Sequence, residues 1–314
     1  MDRPFLEIAK TIGEPINPSL PVPVEIRAIA NLETADPHEK VWSFQAYDTD
    51  NDEILDVESD GSITVQKRDA IGDTELTFKG LNSQLEYVLV DAVLASVDKN
   101  LLGRKKGAIA RGLDKREVKM ILDGIMSPTS ASFPATYLQS VTKASGEDLY
   151  DVIQKAIHKL EDYGDGFVLL AGTEAKEAID KYDKEKAGSH NYKVDLKGFL
   201  RDNDVKVLKI FGKVAVTDGG ALQALLDAKA MILLATNSRI ADGKPITFVR
   251  RRISPEIAKL MGANVDEAQR ANIVNPVPVQ ASGNKLAYGV YAYESIIFAI
   301  TNPKAICKCD DVVS

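Results

Sequence analysis

The sequence is poor in the side chains that form disulfides and bind metals. Among its 314 residues there are two cysteines and three histidines. Cys307 and Cys309 stand two positions apart on a predicted strand, where a disulfide between them would be strained, so we expect free thiols in a reducing compartment. His38, His158 and His190 are scattered without the spacing that zinc ligands show. We therefore predict no zinc site.

Long apolar runs are also missing. No stretch approaches the roughly 20 consecutive apolar residues of a membrane-spanning helix, and the amino-terminal sequence MDRPFLEIAK lacks the apolar core of a signal peptide. We therefore expect a soluble protein that does not contact a membrane. Its 45% hydrophobic content is enough for a folded core, and its net charge of −7 argues against a general nucleic-acid binder.

The sequence motifs of common enzymes are absent. Gly219 and Gly220 belong to no GxxxxGK[ST] or GxGxxG pattern, so we interpret them as turn glycines. There is no GxSxG motif for a nucleophile. The acids Asp56 and Glu58 stand in a strand-and-turn setting that does not favour acid–base catalysis. The sequence predicts no catalytic residue and no cofactor, although a small-molecule α/β enzyme remains an alternative.

The acidic stretch YDTDNDEILDVESDG, which begins at Tyr47, is similar to a calcium loop only at its start. Aspartates fill the first, third and fifth ligand positions. Glu53 replaces the glycine of the sharp turn, and Ser59 replaces the bidentate glutamate that clamps the ion. The flanking residues alternate with period two, which favours antiparallel strands with acidic, solvated tips. We therefore predict a β-hairpin arm without bound metal.

The rest of the chain predicts alternating helices and strands. Pro15 to Pro23 form a proline-rich segment, which indicates an extended arm. Apolar residues at helical spacing from Leu81 to Leu102 predict a long amphipathic helix, and Asp114 is expected to cap a shorter one. Further helices are predicted at 147–160 and 174–182, and strands at 167–170, 205–210, 213–216, 230–235, 246–252 and 287–306.

Three carboxyl-terminal stretches carry a resemblance to a known family. VLKIFGKVAVTDGG has a strand–turn–strand pattern, with Lys213-Val214 where that family commonly has Leu-Pro. AKAMILLATNS is similar to the strand that follows, and AYGVYAYESIIFAITNPKAICK to a closing strand that ends in proline. With the arm, hairpin and long helix before them, these stretches resemble the major capsid protein of tailed bacteriophages. Its Hong Kong 97-type fold is shared with herpesvirus shells and encapsulins.

The resemblance implies an α+β fold with five parts. The long helix at 81–126 would be the spine helix of the peripheral domain. The implied parts are an N-arm at 1–40, an E-loop hairpin at 41–80, the peripheral domain with its spine helix at 81–144, an axial domain at 145–240, and return strands of the peripheral domain with the carboxyl-terminal tail at 241–314.

The resemblance also implies a function. The chain would assemble with itself, as hexamers and pentamers, into the icosahedral shell that encloses the DNA of a tailed phage. A separate scaffolding protein, a portal and a decoration protein would be its other partners. It would be assembled in the host cytoplasm and end in the virion. An encapsulin-type compartment is the alternative within the same fold.

The expected functional residues are those of subunit interfaces, since a long arm and hairpin expose apolar faces that a neighbour can cover. Two groups are predicted: apolar side chains of the hairpin, and basic clusters that make ion pairs between subunits rather than contacts with bases. They are Trp42, Phe44, Ile63, Val65 and Phe78, and Arg104, Lys105, Lys106, Arg250, Arg251 and Arg252.

Overall fold

The computed structural model describes most of the chain. The described residues are 26–47, 70–82, 86–89, 101–127, 139–187, 195–215, 220–238, 243–254, 256, 270–281 and 285–310. None of the helices among them is long and apolar enough to cross a membrane.

The elements follow one another as a mixture of helices and strands. The helices are α1 Ile26–Ile29, α2 Leu101–Met126, α3 Leu149–Leu160, α4 Thr173–Ala187 and α5 Leu196–Asp202, with a 3-10 turn at Pro303–Ala305. The strands are β1 Asn31–Ala35, β2 Val41–Tyr47, β3 Ala70–Thr77, β4 Lys79–Asn82, β5 Glu86–Leu89, β6 Gln139–Thr142, β7 Gly164–Ala171, β8 Lys206–Lys209, β9 Lys213–Ala215, β10 Leu222–Ala224, β11 Met231–Ser238, β12 Ile246–Arg251, β13 Arg270–Ala281, β14 Lys285–Ile300 and β15 Ile306–Asp310.

A six-stranded sheet is built around the long strand β14. Strand β13 pairs with the first part of β14 and β12 with its last part, while β4 and β5 also pair with β14. Ile296 pairs with both Arg250 and Lys79, so β12 and β4 lie on opposite sides of β14. Strand β1 runs parallel to β12 at the end of this order.

A five-stranded sheet has the order β6-β15-β11-β7-β8. Its two central strands, β7 and β11, are antiparallel and read as continuous apolar runs. The reason is that both of their faces are buried. Leu169 and Leu233 belong to one apolar core, whereas Leu170 and Ile232 belong to the other.

The two apolar cores lie on opposite faces of the five-stranded sheet. The first is shared with the six-stranded sheet and with the apolar face of α2, which contributes Ile121, Leu122 and Ile125. The second lies under α3, α4 and α5, with Ile153 and Leu160 among its fully buried side chains. The first core therefore joins both sheets through α2.

Polar side chains fasten α2 to its surroundings at three places. Arg116 Nη1 donates to the carbonyl of Ala215 on β9, at 2.8 Å. Lys308 Nζ on β15 donates to the carbonyl of Met126 at the end of the helix, at 3.1 Å. The third is an ion pair with β12, described below. The helix is thus held by both sheets, and partial burial lowers the pKa of the Arg116 guanidinium.

The predicted helix from Leu81 is confirmed from Leu101 onward and is wrong at 81–82 and 86–89. Residues 79–82 and 86–89 are the strands β4 and β5, and the long helix begins at Leu101. The apolar spacing also fits two short strands, and their pairing with β14, some 200 residues later in the chain, decides the outcome. Residues 83–85 and 90–100 lie outside the described residues.

Asp114 does not cap a second helix, because it lies inside α2 and is 8% exposed. Glycine lowers helix propensity without ending a helix, and the burial of the apolar face keeps α2 continuous through Gly112. Strand β15, in the implied carboxyl-terminal part, pairs with β11 and β6 in the five-stranded sheet. The domain borders themselves stay a prediction.

The helices of the α/β layer are confirmed. Helix α3 begins after Asp148, whose carboxylate accepts hydrogen bonds from the backbone N–H groups of Tyr150 and Asp151. The Asp151 carboxylate in turn accepts a hydrogen bond from the backbone N–H of Asp148, which completes a capping box. Helix α4 extends to Ala187.

Candidate functional site

The hairpin of β2 and β3 is the first candidate surface. Its strands pair antiparallel over their whole length, from Val41 opposite Thr77 to Tyr47 opposite Ala70. Residues 48–69, which hold the acidic stretch together with Ile63 and Val65, lie outside the described residues. The hairpin is a separate two-stranded sheet, which needs additional packing to be stable.

That packing comes from the six-stranded sheet of the same chain. The base of the hairpin covers the face of the sheet opposite α2. Three partly buried side chains from the hairpin contact a small cluster of buried apolar residues on that face. The hairpin side chains are Trp42, Leu76 and Phe78, and the cluster is Ala35, Val249 and Ile297.

The expectation that the hairpin buries none of its apolar face in its own subunit is therefore wrong for Trp42 and Phe78. Both side chains have partners within the chain. Phe44 lies farther out on β2. Contacts of these residues with neighbouring subunits stay a prediction.

Arg250 is the first of three arginines at the end of β12, and it faces α2. Its guanidinium makes a bidentate ion pair with Glu117, with Nε 2.9 Å from Oε1 and Nη2 2.7 Å from Oε2. The same guanidinium lies over the ring of Phe248 at 5.5 Å from the centroid. Arg250 therefore already has an ion-pair partner within its own chain.

Arg251 faces the hairpin, as expected from the alternation of side chains along a strand. Its guanidinium lies 5.1 Å from the centroid of the Phe78 ring, and its Nη1 donates to the carbonyl of Glu39 at 3.0 Å. Arg252 has an exposed side chain, and its backbone N–H donates to the carbonyl of Ala35. The three arginines thus have three different surroundings rather than forming one basic cluster.

Glu117 is the functional residue that the sequence analysis missed. It is fully buried on the apolar face of α2. The signal is present in the sequence, because Leu113, Glu117 and Ile121 recur at a spacing of four residues and so share one face of the helix. An acid on such a face indicates a buried basic partner.

The basic cluster Arg104, Lys105 and Lys106 lies in the first two turns of α2. The structure fixes only the backbone there, so the predicted inter-subunit role of these side chains stays a prediction. Lys119 of the same helix makes an ion pair with Asp123, one turn on.

A second candidate surface is the small hairpin of β9 and β10. Leu222 on β10 is 65% exposed, and Phe211, just before β9, is 52% exposed. Isolated exposed apolar side chains are common, but these two are among the largest exposed apolar side chains of the described residues. The Arg116 hydrogen bond described above holds this hairpin against α2.

An open cleft of about 540 Å³ lies between α4, α5 and β8. Its described lining carries four basic and two acidic side chains, and Lys176 of this lining is paired with Asp180. The other charged lining residues are Lys197, Arg201, Asp204 and Lys206. This composition is that of a solvated charged surface, without an arrangement of nucleophile and base.

The remaining candidate chemistry is weak in the described part of the chain. There, no group of three or more His, Cys, Asp or Glu side chains is placed to hold a metal ion. Cys307 and Cys309 are free thiols, buried in the core under α3 to α5. Their position on strand β15 agrees with the sequence-based prediction.

Comparison with known proteins gives no sequence relative. No protein-family model and no curated protein matches the chain. Solved structures do match. The capsid of a native GTA particle is 12% identical, with 94% of this chain and 92% of that chain covered at a TM-score of 0.58. A virus-like particle from Pyrococcus furiosus is 12% identical, with 98% and 100% covered at 0.50. The capsid of cyanophage P-SCSP1u is 9% identical, with 95% and 90% covered at 0.50.

At these identities the comparison shows the fold alone. The chain has the Hong Kong 97-type fold of major capsid proteins, mixed helix and sheet, as the sequence analysis predicted. The match extends over nearly the whole chain, so both sheets and α2 belong to it.

Proposed function

We propose that the protein is the subunit of a self-assembling shell, and specifically the major capsid protein of a tailed phage. The observation that carries the proposal is the fold, which matches the GTA capsid over 94% of this chain. The subunits would associate as hexamers and pentamers into a closed icosahedral head around packaged DNA, as a component of the virion. The role is structural, without catalysis or a cofactor.

The described surfaces support this proposal. Among the described strands, β1 ends one sheet and β6 and β8 end the other, and we expect neighbouring subunits to pair at such edges. The base of the β2–β3 hairpin packs on the subunit through Trp42, Leu76 and Phe78, and we expect Phe44 and the residues beyond it to contact a neighbour. In a symmetric shell each such contact is repeated in every subunit.

The other proposed partners follow from the same role. A separate scaffolding protein would guide assembly, and a portal and a decoration protein would complete the head. DNA inside the shell would be held without sequence-specific contacts, which agrees with a chain of net charge −7.

The test is electron microscopy and light scattering of the purified full-length protein over a range of salt concentration and crowding agent. We expect closed particles of uniform diameter, formed with or without added scaffold. A protein that stays monomeric under all of these conditions, and also when coexpressed with a cognate scaffolding protein, would contradict the proposal.

The contents of particles isolated from the native source separate a phage head from its alternative. DNA protected from nuclease supports the phage head. A single enriched protein and no DNA would indicate an encapsulin-type compartment, built with the same fold.

A further inference from the structure

Arg251 contacts both ends of the β2–β3 hairpin. Glu39, whose carbonyl accepts a hydrogen bond from Nη1 at 3.0 Å, lies just before β2. Phe78, whose ring lies under the guanidinium at 5.1 Å, directly follows β3. One side chain therefore holds the points where the hairpin leaves and rejoins the six-stranded sheet.

Two kinds of contact meet at the base of the hairpin. Trp42 and Leu76 pack against the cluster of Ala35, Val249 and Ile297, and apolar packing of this kind tolerates tilting. A planar guanidinium fixes an orientation through its hydrogen bonds and its stacking on a ring. Arg251 thus supplies directional contacts at the base.

Arg251 is itself held on a rigid strand. Its backbone pairs with Ala35 of β1, and the preceding residue, Arg250, pairs with Ile296 of β14. Arg250 also binds the fully buried Glu117 on the other face of the sheet. The position of Arg251 is therefore fixed with respect to α2.

We propose that Arg251 is a positioning residue that sets the direction in which the hairpin projects from the subunit, with α2 as its reference. The consequence for the particle rests on the proposed shell function: subunits whose hairpin direction varies at random cannot make the regularly repeated contacts of a closed shell. Loss of the Arg251 contacts would then give irregular assembly from folded subunits.

The direction can be measured with two spin labels, one on the hairpin and one at the end of α2. Ser43 and Ser127 are both exposed, whereas the native cysteines Cys307 and Cys309 are buried and will not react in the folded chain. Ser43→Cys and Ser127→Cys in the full-length chain are labelled, and the protein is mixed with an excess of unlabelled chain. Electron–electron resonance then reports the intramolecular distance distribution.

Two variants remove the Arg251–Phe78 contact, and two matched variants preserve it. Arg251→Gln removes the guanidinium, and Phe78→Leu keeps apolar packing but removes the ring. Arg252→Gln removes a neighbouring charge from an exposed side chain, and Phe78→Tyr keeps the ring. We expect a single narrow distance peak in the wild type, in Arg252→Gln and in Phe78→Tyr, and loss of that peak to a broad distribution in Arg251→Gln and Phe78→Leu.

A distance distribution in Arg251→Gln as narrow as that in Arg252→Gln would overturn the proposal. This holds even if the distribution in Phe78→Leu is broad, because apolar packing would then fix the hairpin. The label experiment needs no particles, so it tests Arg251 even if the wild type does not assemble. Where the wild type does assemble, Arg251→Gln is expected to give folded subunits and particles of mixed diameter. Uniform particles from a variant with a broad distribution would show that the direction does not control the shell.

Discussion

Glu117 and Arg250 form an ion pair in which the acid has no contact with solvent. The Arg250 side chain is 22% exposed, and the Glu117 side chain is 0% exposed. Both carboxylate oxygens accept hydrogen bonds from the guanidinium, which is the geometry that offsets the cost of burying the charge. The pair fixes α2 against β12, and removal of Arg250 takes both of these hydrogen bonds from the buried carboxylate.

We expect Arg250→Met to lower the free energy of unfolding by about 3 kcal/mol, because the buried Glu117 carboxylate would lose its bidentate guanidinium. The double variant Glu117→Leu and Arg250→Met should be more stable than Arg250→Met alone, since neither charge then remains. Chemical denaturation of the wild type, the single variants Glu117→Leu and Arg250→Met, and the double variant measures the differences. A double variant as unstable as the sum of the two single variants would show that the pair is not coupled.

The Asp148 carboxylate accepts hydrogen bonds from two elements at the start of α3. It accepts from the N–H groups of Tyr150 and Asp151, and its Oδ2 accepts from the Tyr182 hydroxyl of α4 at 2.7 Å. Asp148→Ala should destabilise the protein by about 2 kcal/mol, from loss of the helix cap and of the partner of the hydroxyl. Asp148→Asn, which keeps an acceptor for the cap, is the control and should lose less in thermal unfolding. Equal losses of stability in Asp148→Ala and Asp148→Asn would mean that the helix cap contributes little.

Two glycines of α2 have opposite surroundings. A Cβ at Gly112 would have nothing within 4 Å, whereas one at Gly124 would lie 2.3 Å from the Phe298 ring. Gly112→Ala should therefore raise the free energy of unfolding by about 0.5–1 kcal/mol through helix propensity. Gly124→Ala should lower it by about 1–3 kcal/mol, because Phe298 must shift in a packed core. Denaturant unfolding of both variants tests this, and stabilisation by Gly124→Ala would contradict the tight contact.

The elements that the sequence predicts well are those whose pattern is determined locally. In helix α3 the cap at Asp148 and the apolar face both predict the observed helix, and the apolar face is the side that is buried. The central strands β7 and β11 are continuous apolar runs because they are buried on both faces. Residues of strands β4 and β5 were predicted as helix because each strand has only four residues and is stabilised by pairing with β14, about 200 residues later in the chain. A four-residue strand is too short to show a period of two in the sequence.

The candidate site was predictable only in part, for a similar reason. The arginines Arg250 to Arg252 stand out as a charge run, but the sequence does not show that β12 presents Arg250 and Arg251 to opposite faces of one sheet. That requires a strand with a neighbour on each face, here α2 and the hairpin. Trp42 was expected at a subunit interface. Its packing within the chain could not be foreseen, because the cluster that it contacts comes from distant segments, with Val249 and Ile297 among them.

At the scale of the whole molecule, one apolar core connects α2 with both sheets. Ile121 of the helix, Phe248 of the six-stranded sheet and Ile232 of the five-stranded sheet belong to the same cluster. At the base of the β2–β3 hairpin, Trp42 and Leu76 pack against this body. We therefore expect the outer part of the hairpin to be removable without unfolding the subunit, as an arm that acts between subunits requires.

This separation gives a deletion that distinguishes folding from assembly. Removal of all residues between Trp42 and Phe78 would also strip the apolar cluster of its cover, so the sharper change keeps the base. Tyr47 and Ala70 are paired, so their chain ends are close enough for an Asn-Gly turn to replace residues 48–69. We expect this variant to melt cooperatively, with a melting temperature within about 5 °C of the full-length chain, because a short closure adds little entropy cost.

The same variant should form no closed particles. Any contact made by the removed segment would recur in every subunit, so a modest loss per contact multiplies over the shell. Circular dichroism and light scattering, with the full-length chain prepared in parallel, separate the outcomes. A folded chain without particles is expected. Intact particles would show that residues 48–69 are not needed for assembly, and an unfolded chain would place that segment among the contacts on which the subunit's own stability depends.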